Sequence, residues 1–146
     1  MLPFRTARTF GIPTPAANGV DLWIISLDRP SHVVDKLEAV LDSSEQSHAR
    51  RLWEGPLRSR YIVAHAAARG ILAQYLGVTP TTLPLGTAST GKLCVHGAPI
   101  SFNLSYSGGL AVLAVSRGGG IGVDVELGGH VADADNIVSQ VFSRAE

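Results

Sequence analysis

Two carboxylates stand one residue apart in the segment IGVDVE, which covers residues 121–126. We predict that this segment is a β-strand, in which alternate side chains point to the same face. Asp124 and Glu126 would then lie about 6.6–6.8 Å apart on one face, with Val123 and Val125 on the other. The pattern predicts a small acidic platform at a strand end, and a solvated strand edge is the alternative.

A lysine ends a glycine-rich stretch, GTASTGK at residues 86–92, which fits the phosphate-loop pattern G-x-x-x-x-G-K. Leu93 stands where that loop needs Ser or Thr to bind magnesium, and the flanking residues predict neither a buried strand before it nor a helix after it. We therefore interpret the stretch as a surface loop. Lys92 could still contact another phosphate, because glycines let the backbone approach an anion and lysine supplies a point charge.

Arginines cluster on the second and third predicted helices, at positions 50, 51, 58, 60 and 69. Arg58 and Arg60 fall in the first turn of the third helix, where the helix dipole does not favour cations. That local conflict hints at a nearby anion, and a solvated helix face is the alternative.

Other side chains that could do chemistry lack partners in the sequence. The five histidines include no two at metal-ligand spacing within one element: His32, His48, His65, His96 and His130. We interpret His65, on the long helix, as a packed or partly exposed residue. Ser105 has no histidine or carboxylate beside it in sequence and no G-x-S-x-G motif, so a serine hydrolase is unsupported.

The acidic segment needs a neighbouring strand to position it. We predict that it pairs with the apolar run at residues 110–115, because Arg117 and three glycines between the two runs favour a hairpin. Ser105, Tyr106 and Ser107 would then lie in a turn before that hairpin.

The remaining elements follow from apolar periodicity. It predicts a strand at residues 22–27 and helices at 32–41, 45–53 and 57–76, with Ser31 and Ser44 as N-caps and Gly77 as a left-handed C-cap. Short strands at 93–95 and 100–104 and a helix at 135–142 complete the chain. Helices and antiparallel strands mix without a βαβ rhythm, which indicates the α+β class.

Composition limits the remaining choices. A chain of 146 residues that is 45% hydrophobic predicts one domain, at residues 21–146, preceded by a loosely ordered arm at 1–20. The net charge of zero argues against a nucleic-acid partner. The single cysteine, Cys94, excludes an internal disulfide. The sequence shows no secretory signal, and no apolar run approaches the ~18 residues of a membrane helix. We therefore expect a soluble cytoplasmic protein with no membrane partner.

Several motifs in a fixed order resemble the Sfp-type 4′-phosphopantetheinyl transferases. FNLSYSGG at residues 102–109 and IGVDVE at 121–126 are similar to the family's FNLSHS and (I/V)G(I/V)D(I/V)E motifs, and Gly91-Lys92 is similar to its GKP segment. Residues 41–80 resemble its helical region, and VFSRAE at 141–146 resembles the segment that begins its second half. The resemblance covers residues 21–146 and implies an α+β half domain, with a small antiparallel sheet packed on a long helix.

The resemblance implies Mg²⁺-dependent transfer of the phosphopantetheine arm of coenzyme A to a serine of an acyl or peptidyl carrier protein. It assigns Asp124 and Glu126 as catalytic magnesium ligands. The side chains that it implies for coenzyme A binding are basic or carry a hydroxyl group: His48, Arg60, Lys92, Ser105 and Tyr106. Fatty-acid, polyketide, peptide and siderophore carriers all stay open.

The sequence departs from the family at three places. Tyr106 replaces a histidine, Leu93 replaces a proline, and the W-x-x-K-E segment of the second half is not among the 146 residues. In the family that segment supplies a third magnesium ligand, the base and phosphate-binding lysines. We therefore expect this chain alone to be impaired, and to associate with itself or with a separate second half. A non-catalytic module that binds coenzyme A or a carrier protein is the alternative.

Overall fold

A computed structural model describes residues 19–127 of the chain. The elements in chain order are β1 (Val20–Ser26), α1 (Ser31–Glu38), α2 (Ser43–Arg51), α3 (Pro56–Leu76), a 3₁₀ turn (Pro80–Thr82), β2 (Leu85–Thr87), β3 (Leu93–Val95), β4 (Ser101–Ser107) and β5 (Leu110–Ser116). Most of the predicted arm, His130, the predicted helix at 135–142 and the VFSRAE segment lie outside the described residues. No helix among residues 19–127 combines the length and apolar character needed to cross a membrane.

The main sheet is antiparallel, with strand order β1-β5-β4. Strand β5 pairs with β1 on one side, where Trp23 faces Leu113, and with β4 on the other, where Ser105 faces Val112. Helices and small antiparallel sheets together confirm the α+β class and fit the half domain that the resemblance implied.

The predicted hairpin between residues 110–115 and 121–125 is wrong. Strand β5 forms its hairpin with β4 through the two-residue turn Gly108-Gly109, and Gly108 has a φ of +56°, which glycine adopts without a Cβ penalty. Both edges of β5 are therefore occupied, and the acidic segment forms no regular strand. Ser105, Tyr106 and Ser107 consequently lie in β4 and not in a turn.

The three predicted helices are confirmed, but two of their N-caps are not. Pro30 precedes α1 in place of Ser31. Asp42 caps α2 in place of Ser44: its side chain accepts from Glu45 N at 2.9 Å, and the Glu45 carboxylate accepts from Asp42 N at 3.1 Å. This reciprocal capping box satisfies the N–H groups of Asp42 and Glu45, whereas Ser44 already lies inside the helix.

Helix α3 is the centre of the core. Its C-cap, Gly77, has the predicted left-handed conformation, with φ +66°. The helix packs with side chains from alternate strand positions, which form one buried cluster: Trp23, Ile25 and Leu27 of β1 and its end, Phe102 of β4, and Ala111, Leu113 and Val115 of β5. Trp23 Nε1 donates to Tyr75 Oη at 2.9 Å, and Tyr75 Oη donates to Asp21 at 2.7 Å, which ties the sheet to the end of α3.

Strands β2 and β3 form a separate antiparallel pair, in which Leu85 faces Val95. The GTASTGK stretch therefore joins two antiparallel strands, whereas a phosphate loop of the triphosphatases joins a strand to a helix. The interpretation as a surface loop is confirmed, and Lys92 is exposed at its end.

Candidate functional site

The acidic segment, residues 121–127, is held against β4 by side chains. Alternate N–H groups of the segment donate to alternate side chains of the strand: Val123 N to Asn103 Oδ1 at 2.7 Å, Val125 N to Ser105 Oγ at 3.1 Å, and Leu127 N to Ser107 Oγ at 3.3 Å. We call these three bonds the side-chain clip. It replaces the main-chain ladder that the sequence predicted for this segment.

The predicted alternation along the acidic segment is present. Asp124 and Glu126 are exposed, while Val123 and Val125 are partly buried. Ser105 Oγ donates to Asp124 Oδ1 at 2.8 Å, and Val125 N donates to the same oxygen at 3.0 Å. The structure thus brings Asp124 and Ser105 together, at the position where the sequence placed an acidic platform.

Lys92 lies at the beginning of the acidic segment. Its Nζ donates to the carbonyl oxygen of Ile121, although Lys92 is 29 residues away in sequence. A cation from the β2–β3 loop is therefore held three residues before Asp124 in the chain. Such an arrangement could bind a phosphate from two sides. Lys92 would contact the phosphate directly, and the carboxylates would bind a metal ion that also contacts it.

His48 and Tyr106 stand at opposite ends of a column of four rings. The centroid separations are 4.8 Å from His48 to Tyr61, 4.1 Å from Tyr61 to His65 and 6.5 Å from His65 to Tyr106. The last pair meets edge to face, and both end residues are exposed. The column links α2, α3 and β4, so these two predicted site residues are positioned by one packed unit.

Arg58 and Arg60 have carboxylate partners within the protein. Arg58 Nη2 donates to both oxygens of Glu38, at 2.7 and 2.8 Å, and Arg60 Nε donates to Asp28 at 2.8 Å. The hydrogen bond from Arg60 lowers the pKa of Asp28. The anions that the helix position of these arginines suggested are thus supplied by the chain itself.

Asp28 also lies beside the Gly108-Gly109 turn between β4 and β5. Its carboxylate lies so close to Gly109 that a side chain at Gly109 would collide with it. The pair is open to solvent, since 28% of the Arg60 side chain and 65% of the Asp28 side chain are exposed. Arg60 could therefore exchange this carboxylate for another anion at low cost.

Sequence reasoning, which placed Arg69 with the other basic residues of the helices, missed a polar cluster of the buried residues Glu45, His65 and Arg69 with the partly exposed Asp42; we call it the buried cluster. Arg69 is fully buried and donates to Glu45 at 2.5 Å, to Asp42, and to the carbonyl oxygens of Pro80 and Leu83 at 3.0 Å each. His65 Nδ1 lies 2.9 Å from Glu45 Oε1.

Charge pairing decides the ionisation of this buried cluster. Burial alone would raise the pKa of Glu45, but hydrogen bonds from His65 and Arg69 outweigh it, and the pKa is lowered. The apolar residues on every side of Arg69, Ala66–Ala68 and Ile71–Leu72, were the signal that it is buried.

The acidic segment offers oxygen ligands of the kind that Mg²⁺ prefers. Within residues 19–127, no group of three or more His, Cys, Asp or Glu side chains is placed to hold a metal ion. Mg²⁺ commonly takes one or two carboxylates together with waters and phosphate oxygens, and Asp124 and Glu126 could supply two such carboxylates.

Comparison with known proteins agrees with these features. No family model matches the chain. It is 32% identical over 133 residues to the 4′-phosphopantetheinyl transferase HetI of Nostoc sp., across 88% of this chain and 56% of that protein. It is 27% identical over 109 residues to slr0495 of Synechocystis sp., which provisionally carries the same transferase name, across 73% of this chain and 44% of that protein. The chain spans about half the length of these curated relatives. It belongs to the 4′-phosphopantetheinyl transferase family.

Proposed function

We propose that this chain binds coenzyme A through its phosphates and takes part in Mg²⁺-dependent transfer of the phosphopantetheine arm to a carrier-protein serine. The observation that carries the proposal is the acidic segment itself. It holds Asp124 by Ser105 and receives Lys92 at its beginning, so that a carboxylate pair and a cation share one short stretch of chain.

In this reaction the serine oxygen of the carrier forms a bond to the phosphorus that bears the pantetheine arm. The serine hydroxyl proton passes to a base, which the family resemblance places in the W-x-x-K-E segment. The bond from that phosphorus to the bridging oxygen breaks, and adenosine 3′,5′-bisphosphate leaves. Mg²⁺ held by Asp124 and Glu126 would offset negative charge on the pyrophosphate and on the leaving phosphate. Lys92 adds a positive charge to the same group.

The other predicted contacts lie on the helices and on β4. Arg60 would leave Asp28 to bind the 3′-phosphate of coenzyme A, which the exposure of that pair allows. Tyr106 can donate one hydrogen bond through its hydroxyl group but brings no positive charge. His48, at the far end of the ring column, is exposed and would contact the outer part of the ligand.

Calorimetry of coenzyme A binding with and without Mg²⁺ tests the proposal. We expect Mg²⁺ to strengthen binding to the parent chain at least about tenfold, and Asp124→Asn to abolish that gain. Asp35→Asn, which removes an exposed carboxylate from α1, is the matched control and should leave the gain unchanged. Equal affinity with and without Mg²⁺ in the parent chain would overturn the magnesium site.

Transfer is measured separately, as the gain in mass of an apo acyl carrier protein and of an apo peptidyl carrier protein. Modification that requires Asp124 supports the transferase. Mg²⁺-dependent coenzyme A binding without any transfer would support the binding module as the role of these 146 residues.

Self-association is a further part of the proposal. The outer face of β1 exposes three large apolar side chains, Val20, Leu22 and Ile24, at 50%, 58% and 66%. A row of this kind favours contact with another surface. Light scattering of the chain should therefore show a dimer that Ile24→Asp dissociates, and a monomer at all concentrations would contradict self-association.

A further inference from the structure

The three bonds of the side-chain clip keep one constant sequence offset. Residues 103, 105 and 107 bond residues 123, 125 and 127, so each pair is separated by 20 positions. The acidic segment therefore runs parallel to β4. Since alternate side chains of a strand point to the same face, the three acceptors form one polar row on the sheet.

This row meets a need of the backbone. The segment belongs to neither sheet, so its N–H groups lack ladder partners. Asn103, Ser105 and Ser107 supply acceptors at the spacing at which an extended chain presents alternate N–H groups. The clip thereby fixes the distance of the segment from β4 and its register along that strand. Both determine the position of Asp124.

The central bond has an additional consequence for Ser105. A serine hydroxyl group has one proton to donate and two lone pairs that accept, whereas an ionised carboxylate only accepts. Ser105 Oγ accepts from Val125 N and donates to Asp124 Oδ1, at 3.1 and 2.8 Å. Its single proton is therefore committed to Asp124, and a phosphate oxygen, which also needs a donor, would have to compete for it.

We propose that Ser105 is a positioning residue for Asp124 and not a phosphate-binding residue, with Asn103 and Ser107 as the outer supports of the same clip. The proposal rests on the proposed function only in taking Asp124 as a magnesium ligand. Both described bonds to Asp124 end on Oδ1. The carboxylate is thus held through Oδ1, which leaves Oδ2 for a cation.

Calorimetric titration of Mg²⁺ into the chain saturated with coenzyme A separates the two roles. Loss of an outer-shell partner commonly weakens metal binding by about 10–100-fold. We expect Ser105→Ala to raise the Mg²⁺ dissociation constant by that factor, and Ser105→Thr, which keeps the hydroxyl group, to restore it. Coenzyme A affinity without Mg²⁺ should not change. If Ser105→Ala lowers the affinity for coenzyme A equally with and without Mg²⁺, the proposal is overturned, because a direct phosphate contact predicts that result.

Ser101→Ala is the matched control. Ser101 lies on the same strand and the same face, outside the clip, opposite Ser116. Ser101→Ala should leave the Mg²⁺ dissociation constant unchanged. If it lowers Mg²⁺ affinity as much as Ser105→Ala does, the effect is common to the serines of this row, and the specific role of Ser105 is overturned.

Amide hydrogen exchange tests the clip without metal or substrate. Asn103→Ala should speed exchange at Val123, and Ser107→Ala at Leu127, at least about tenfold, because each of these N–H groups has a single acceptor in the clip. Asn103→Asp keeps the acceptor and should preserve protection. Unchanged exchange in both alanine variants would overturn the clip. If the parent chain binds no Mg²⁺, the proposed function fails, and the clip still stands or falls on these exchange rates.

Discussion

The buried cluster and the side-chain clip are both polar, yet they differ in almost every physical respect. The buried cluster joins Asp42 and Glu45 of the α2 start to His65 and Arg69 of α3, with Arg69 excluded from solvent. The clip joins neutral side chains to backbone N–H groups at an exposed segment. The first places formal charges around an arginine that is excluded from solvent, with only Asp42 partly exposed, and the second uses dipoles where water is near.

Because of this difference, we expect the two regions to contribute to different properties, one to stability and the other to ligand binding. A charge that is buried depends on its partner, because removal of either leaves the other uncompensated in a medium of low dielectric constant. A carboxylate that is exposed keeps its ability to bind a new ligand, and a single hydroxyl group is enough to orient it. The buried cluster therefore should dominate stability, and the clip should dominate ligand binding.

Arg69→Met gives the largest expected effect. Breaking a buried ion pair from one side costs roughly 3–5 kcal/mol of unfolding free energy, and here two carboxylates and two carbonyl oxygens lose their donor. Urea denaturation measures the change. The control is Arg50→Met, an exposed arginine that bonds Gln46, with an expected change within about 0.5 kcal/mol. A loss below about 1 kcal/mol at Arg69 would remove the contrast between the two regions.

Acid sensitivity follows from Glu45. Because its pKa is lowered from the ordinary 4.5 in the folded chain, its ionised form favours folding. That contribution is fully present above about pH 4.5 and is lost as pH falls through the lowered pKa. Glu45→Gln should therefore destabilise the chain near neutral pH and flatten the fall of stability below pH 4.5, as urea midpoints at several pH values would show. A parallel pH profile for the two chains would contradict this assignment.

Asn103→Ala should have a smaller effect on stability than either change in the buried cluster. It removes one hydrogen bond at a partly buried position, a loss of about 0.5–1.5 kcal/mol in the same urea experiment. Asn103→Asp, which keeps an acceptor oxygen, is the control for side-chain size. A cost above about 3 kcal/mol would show that the clip is part of the folding core and would weaken the division proposed between the two regions.

Sequence reasoning reached the local features and missed those that depend on partners far along the chain. Apolar periodicity and Gly77 placed α3 correctly, since both act within the helix. The hairpin was assigned to the wrong glycines because Gly108-Gly109 and the glycines at 118–120 carry the same turn chemistry, and only the pairing of β5 with β1 decides between them. The apolar neighbours of Arg69 indicated its burial, but its acceptors at Pro80 and Leu83 could not be identified from the sequence.

The candidate site divides in the same way. Spacing alone placed Asp124 and Glu126 outward and the valines between them inward, which the burial pattern confirms. Spacing could not show that Ser105, 19 residues earlier, is bonded to Asp124, nor that Lys92 reaches Ile121. Those contacts depend on the course of the chain after β5, for which the sequence gives no local rule.

Arg58→Ala is expected to have the smallest effect on the free energy of unfolding. It tests whether an ion pair with partial exposure behaves differently from the bonds of Arg69. The pair with Glu38 is bidentate, at 2.7 and 2.8 Å, but its side chains keep 28% and 24% of their exposure. Exposed ion pairs contribute roughly 0.2–1 kcal/mol and weaken as salt screens them. The cost of Arg58→Ala should therefore shrink between low salt and about 1 M NaCl, where the screening length is ~3 Å, while that of Arg69→Met stays nearly constant. If both costs respond equally to salt, the bonds of Arg69 are screened as much as the pair of Arg58, and the burial of Arg69 is not what separates the two regions.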